Sequence, residues 1–340
     1  MTEGLREPKG QGSWIERGLL VLSLAFIVSG AGWLAWDSWA QRKDAIEVVV
    51  LESAEGPGAA RDWLKSPFSP DWLETVRLRS SQGVDLRLGV VGYRDSKGEP
   101  GQAIIYPPSA ASLTGDASLR MGLWNDLGQV IGRNTKPDAL FLSWWDNAQR
   151  IHFLTGRETS ARLPAQSAYR QSPLHGFWNQ AAGGNLQDEG PARQMARWLT
   201  MDAEAALREI RDFLPANRDV YWVVCVDDLA RLGEVETLAK AHFPLEIRYF
   251  PATPDIHTQI AEVRRWASES VGPSNYLVQQ VPGGGIKAWR ITSEAASKTL
   301  LVRLLPFTRS LENPIPGTRL TYQSTWGAYL SVHQISENRP

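Results

Sequence analysis

Cysteine is almost absent: Cys225 is the only one in 340 residues, so no internal disulfide can form and no paired-cysteine haem attachment can exist. It lies among Val223, Val224 and Val226, a setting in which a thiol packs as a small hydrophobe. A charge surplus is missing too. Lys and Arg total 36 against 37 Asp and Glu, which argues against nucleic-acid binding and against steering toward anionic surfaces. The histidines at 152, 175, 242, 257 and 333 form no His-x-His or His-x-x-x-His pair, so zinc and copper sites built by local spacing are excluded. There is no Gly-x-Ser-x-Gly elbow, no Walker loop and no Gly-x-Gly-x-x-Gly behind a strand. Pro282 and the three glycines after it stand between two strand patterns and read as a hairpin loop, outside the strand-to-helix context that cradles phosphate. These absences lead to no expected catalytic residue, metal or cofactor.

Apolar sequence is concentrated near the start, where residues 18–36 run nineteen positions without a charge. As a helix, that run spans a hydrocarbon core of roughly 30 Å. Trp33, Trp36 and Trp39 recur at its far end, where indoles favour the headgroup level. A cleavable signal peptide is the rival reading, with Ser29 and Ala31 as small residues near a cut; the tryptophans favour an uncleaved anchor over 18–39. Arg6, Lys9 and Arg17 precede the span and Arg42 and Lys43 follow it. The positive-inside bias keeps the head, 1–17, in the cytoplasm. The expectation is a single-pass protein of a bacterial inner membrane with most of its chain in the periplasm.

Beyond the anchor, three regions are expected: β-hairpins and a helix over 40–136, an α/β core over 137–272 and a β-rich region over 273–340. The first has a strand at 46–51, a short helix over 62–73, a hairpin from 84 to 106 and a helix over 117–131 stopped by Gly132. A polar, small-residue stretch over 158–190 reads as a long surface excursion. Two helices follow, the second capped by Asp202. The pattern at 220–226, 229–241 and 245–250 then reads as a βαβ unit. Thr253-Pro254-Asp255 begins a helix with Ile256, Ile260, Val263 and Trp266 on one face. Strands are expected at 276–281, 286–291, 299–305 and 320–332. The fold class is α/β: a transmembrane helix, then a doubly wound domain around the strands at 139, 220 and 245, with an added antiparallel β region.

The stretch 139–157 organises this core. It opens as an apolar run and changes to helical spacing with Ala148, Ile151 and Leu154 on one face, and Gly156 is its stop. Asp146 and Gln149 read as an N-cap and its capping-box partner. Polar groups at the carboxyl end of a strand lie where open α/β sheets bind ligands. Trp144, Trp145, Asp146, Asn147 and Arg150 are therefore candidates for ligand or partner binding; alternatively, Asp146 only caps while the indoles fill gaps. Asp227 and Asp228 end another strand; if the two strands are parallel they converge with Asp146 on the same rim, where the three could bind a hard cation through oxygen. The competing, preferred reading makes Asp228 a helix cap and Asp227 solvated.

Two resemblances attach to these residues. Ser143-Trp144-Trp145-Asp146 resembles the Trp-Trp-Asp signature of oligosaccharyltransferase catalytic subunits, which recognises the hydroxyl residue of an acceptor peptide. It implies an extracytoplasmic module that grips a hydroxylated peptide or glycan. The wider pattern resembles the HaoB family: short head, Trp-flanked anchor, Leu142 to Ile151, the 223–228 strand end and the β-rich tail. That likeness implies an accessory role in hydroxylamine oxidation, with a multihaem hydroxylamine dehydrogenase as partner, and carries no catalytic residues.

Overall fold

The computed structural model describes residues 46–56, 63–80, 85–106, 116–169, 190–213, 217–269, 275–280 and 284–336. The expected head and anchor, and most of the polar excursion, lie outside these residues. Backbone packing separates a unit of Met1–Glu47 with Arg79–Asp85 from a unit of Val48–Leu78 with Leu86–Pro340. The first contributes only strand ends to the described residues, and the site below belongs to the second.

Strands β1 (Ile46–Glu55), β2 (Pro70–Ser80), β3 (Asp85–Arg94) and β4 (Pro100–Ile105) form one sheet in that order. The helix expected over 62–73 is not there; residues 63–69 are irregular and β2 begins at Pro70. Pro70 lacks an N–H and suits the first position of a strand. The β3–β4 hairpin is as expected, its loop closed by Asp95, which accepts from the amides of Lys97 (2.8 Å) and Glu99 (2.9 Å). Helix α1 (Asp116–Asn134) runs past Gly132.

Next come β5 (Leu140–Leu142), α2 (Trp145–Thr155), β6 (Glu158–Thr159), the turn α3 (Gln166–Tyr169), α4 (Gly190–Thr200) and α5 (Ala203–Phe213). Asp202 caps α5 as expected, accepting from the amides of Glu204 (3.1 Å) and Ala205 (3.2 Å). Then follow β7 (Val220–Cys225), a 3-10 turn (Val226–Arg231), α6 (Leu232–Ala239), β8 (Leu245–Phe250), α7 (Ile256–Ser268), β9 (Tyr276–Gln280) and β10 (Ile286–Ile291). The chain closes with α8 (Glu294–Ser297), α9 (Leu300–Leu304), α10 (Thr308–Glu312), β11 (Thr318–Gln323), α11 (Thr325–Ala328) and β12 (Leu330–Ile335).

The central sheet has the order β11-β12-β7-β5-β6. β5 lies parallel to β7 and β6, while β12 runs antiparallel to β7. The mixed α/β class and the β5–β7 pair match the expectation; the winding does not. β8 leaves the sheet and pairs antiparallel with β10 in a three-stranded sheet, β8-β10-β9, so 220–250 is no βαβ unit. Burial explains the difference. All six residues of β7 are buried, whereas Glu246, Ile247, Arg248 and Tyr249 of β8 are exposed; a strand carrying two charges is unsuited to a sheet covered on both faces. The place beside β7 goes to β12 from the far end of the chain, so the last residues complete the core.

Two further expectations fail locally. The strand expected at 299–305 is helix α9, a short apolar run interrupted only by Arg303, too short for its periodicity to separate buried helix from buried strand. The strand expected at 320–332 is broken by Trp326 (φ 59°), Gly327 (φ 68°) and Ala328 (φ 59°), a left-handed turn that makes β11 and β12 a hairpin. On α7, Val263 and Trp266 are buried but Ile256 and Ile260 are exposed, so only half the expected apolar face packs.

Gly156 ends α2 as expected, at φ 68° with its N–H on the His152 carbonyl at 2.8 Å. A Cβ there would make only an ordinary contact with Phe68, at 3.5 Å. The cost of Gly156→Ala is therefore conformational, about 1 kcal/mol, to be read as a lowered urea midpoint with unchanged slope.

Candidate functional site

The carboxyl ends of β5 and β7 meet where the candidate residues lie. Past Leu142 the chain bends into α2, and Ser143 fixes the bend by donating from Oγ to the Val223 carbonyl at 2.7 Å. Asp146 is not the cap of α2. Trp144 occupies that position with no side-chain bond, Asp146 falls in the first turn, and the Gln149 amide makes no capping bond. The carboxylate of Asp146 instead lies between two guanidinium groups, 3.8 Å from Nη2 of Arg150 one helical turn on and 3.6 Å from Nη2 of Arg231.

Arg150 is completely buried. Its Nε donates to the Ile104 carbonyl at the end of β4 (2.8 Å) and its Nη1 to Oδ1 of Asn147 (2.9 Å). Its guanidinium lies 4.8 Å from the ring centre of Tyr106 and 4.5 Å from that of Trp124, a stacking geometry that favours a cation. Asn147 passes the network on, donating from Nδ2 to Oδ1 of Asp228 at 2.7 Å. Asp228 Oδ2 accepts from the Cys225 amide at 2.9 Å. Asp228 thus closes the 3-10 turn rather than the following helix, which starts four residues later at Leu232.

Both indoles are buried, Trp144 to 2% and Trp145 to 1% exposure, so neither offers an open face for stacking. Each donates from Nε1 to the same oxygen, Oε2 of Glu234, at 3.2 Å. The other oxygen of Glu234 accepts from Nη1 of Arg231 at 3.1 Å. This burial does not favour the peptide- or glycan-gripping reading.

Asp227 belongs to a separate network. It is paired with Arg120 and accepts from the hydroxyls of Tyr329 (2.5 Å) and Tyr106 (3.2 Å). The Arg120 guanidinium faces the rings of Tyr329, Trp326 and Tyr106 at 5.4, 5.6 and 5.7 Å. Of the seven candidates Asp227 keeps the most surface; its side chain is 27% exposed.

The two neighbouring carboxyls are thereby driven apart. Burial pushes Asp228 up to about 8, and the negative charge of Asp146 adds to this, outweighing the bonds from Cys225 and Asn147. For Asp227, burial pushes upward too, but the Arg120 guanidinium and the bonds from Tyr329, Arg120 and Tyr106 win and hold it below the usual carboxylate value. Burial raises the Tyr106 and Tyr329 hydroxyls and the Cys225 thiol, which stays protonated and unreactive. Among the described residues no group of three or more His, Cys, Asp or Glu is placed to hold a metal ion.

The structure brings all seven candidate residues to one region. Sequence reasoning missed their partners, Tyr106, Arg120, Trp124, Arg231, Glu234 and Tyr329, which arrive from other elements. None carries a local motif; the one available signal was Arg231 and Glu234, three apart on the segment behind Asp228.

The fold is thus a mixed α/β domain whose parallel strand pair ends in a buried polar network. The chain belongs to the HaoB family: the model for the HaoA-associated protein HaoB matches residues 15–335. No curated protein matches it. Among solved structures it is similar to the C-terminal domain of C. jejuni PglB, with 11% identity, TM-score 0.37 and coverage of 62% of this chain and 99% of that one. It is also similar to the C-terminal globular domain of an oligosaccharyltransferase from Archaeoglobus fulgidus, with 14% identity, TM-score 0.30 and coverage of 63% and 96%.

The raised value of Asp228 makes stability depend on pH. The folded carboxyl keeps its proton from about pH 4 to about pH 8 while the unfolded one loses it, so its contribution is full at the acid end and lost as pH rises through about 8. His333, lowered to about 4 by burial, and His152, also lowered mainly by burial, act with the opposite sign below about pH 6.5. The effect is therefore read as a difference. Urea unfolding of wild type minus Asp228→Asn is expected to fall with pH between 5 and 8, at up to about 1.4 kcal/mol per unit.

Proposed function

We propose that this chain is an accessory protein of hydroxylamine oxidation, anchored in the bacterial inner membrane by residues 18–39 and holding or supporting a multihaem hydroxylamine dehydrogenase at the periplasmic face. One observation carries this reading: the HaoA-associated family model matches from residue 15 to residue 335 and so includes the apolar run as well as the α/β domain. The Trp-flanked, charge-free stretch supports the anchor. Among the described residues no helix is long and apolar enough to cross a membrane. A single buried cysteine fits a supporting protein that leaves electron transfer to its partner's haems.

In this reading the partner meets the rim at the carboxyl ends of β5 and β7. Asp227, with its partly exposed carboxylate, makes the contact, and Trp144, Trp145, Asp146, Asn147, Arg150 and Asp228 hold the surface in place from below.

The test is purification of the tagged full-length chain from its native membranes in mild detergent, followed by a haem absorbance spectrum and identification of what co-elutes. Stoichiometric multihaem protein is expected. A colourless, solitary preparation would overturn the reading as a stable complex. Asp227→Asn keeps an acceptor for Tyr329 but removes the charge that pairs with Arg120, so it is expected to lower the melting midpoint while leaving the chain folded at the purification temperature, and to lower haem recovery several-fold; undiminished recovery moves the contact away from this rim.

A further inference from the structure

Strand β8 is the outer strand of its sheet, and among the described residues no strand pairs with its free edge. Four consecutive residues of it are exposed, and two of them, Ile247 (56%) and Tyr249 (58%), are large and apolar. Free edges can template pairing with another strand, and charged side chains on the edge restrict it to partners of complementary charge; β8 carries Glu246 and Arg248 on the face of buried Phe250. The register on β10 fixes the faces. Ile247 lies opposite Trp289 and Tyr249 opposite Lys287, whereas Glu246 lies opposite Arg290 and Arg248 opposite Ala288. Leu245, Ile247 and Tyr249 thus share one face, while Arg248 and Glu246, the latter paired with Arg290 within the sheet, share the other with buried Phe250.

We propose that β8 pairs antiparallel with β8 of a second copy of this chain, about a two-fold axis at Ile247, to make a continuous six-stranded sheet. The sequence Leu245-Glu246-Ile247-Arg248-Tyr249 is self-complementary in that register. Ile247 meets Ile247, Leu245 meets Tyr249 on both sides of the axis, and Glu246 meets Arg248 twice. The neighbouring registers are not. Centring on Glu246 sets carboxylate against carboxylate, centring on Arg248 sets guanidinium against guanidinium, and an axis between Ile247 and Arg248 places Ile247 against charge and Glu246 against Tyr249. Opposite charges across a strand pair stabilise it and like charges oppose it, so charge complementarity selects both the occupant and the register. An isologous contact of this kind closes on itself. It stands independently of the dehydrogenase reading.

The chain's scarcity of cysteine makes the test direct. Cys225 is fully buried, so full-length Ile247→Cys carries one accessible thiol, at the axis. Under mild oxidation it is expected to form a covalent dimer, while Leu311→Cys, at a position 61% exposed elsewhere on the domain, stays single. Arg248→Glu faces Glu246 with a like charge in both halves and is expected to weaken dimerisation by about tenfold or more in sedimentation. A full-length chain that remains monomeric at every concentration, or equal cross-linking at positions 247 and 311, would overturn the proposal. So would hydrogen-exchange protection of β8 that appears only when the multihaem protein is added, since the occupant would then be that partner.

Discussion

A fully buried guanidinium is the constraint on which the core depends. Arg150 has no access to water, and an uncompensated charge in that position would cost several kcal/mol. The Asp146 carboxylate supplies the counter-charge at 3.8 Å, and the fold adds compensation from three directions: the Ile104 carbonyl, the Asn147 side chain and the aromatic faces of Tyr106 and Trp124. Each belongs to a different element, so satisfying one cation fixes the end of β4, the first turn of α2 and the middle of α1 against one another. Asn147 then extends the constraint to Asp228 and to the backbone of Cys225 at the end of β7. In a low-dielectric interior each of these bonds is stronger than in water, which favours one arrangement of the strand ends over near alternatives.

Asp227 and Asp228 show how adjacent residues acquire opposite properties from one such arrangement. The 3-10 turn sends Asp228 inward, where the charge of Asp146 and the loss of water favour its protonated form. It leaves Asp227 beside Arg120 and two tyrosine hydroxyls, where the ionised form is favoured. A sequence motif of two carboxylates therefore becomes one neutral structural group and one charged group with surface. The tryptophan pair undergoes a similar conversion. Two indoles that could have formed a binding face become donors to a single Glu234 oxygen, fixing α6 to the start of α2.

Legibility in the sequence followed the range of the forces involved. The β3–β4 hairpin, the Asp202 cap and the Gly156 stop were readable because each is settled within a few residues. Strand assignment to sheets was not readable, because it depends on what covers each face. Val220–Cys225 and Leu245–Phe250 look alike as strands, yet only the first has the apolar character on both faces that a central position demands. The candidate site was half legible for the same reason. Its residues from 144 to 150 announced themselves by composition and position, whereas Arg120, Tyr106 and Tyr329 enter through tertiary contacts that leave no trace in spacing.

The exclusion of β8 from the central sheet and the entry of β12 are two sides of one exchange. β7 requires an apolar neighbour on the side away from β5. Leu330, Val332 and Ile335 meet that requirement with buried side chains, while β8 would bring Glu246 and Arg248 into the interior. Because β12 follows the other four strands of its sheet in sequence, the sheet cannot close before they have been made. The left-handed turn at Trp326, Gly327 and Ala328 is what returns the chain from β11 to that place. It costs backbone strain at two non-glycine residues, and it sets Trp326 and Tyr329 around Arg120 beside Asp227. Closure of the core and assembly of the Asp227 cluster are therefore one structural event.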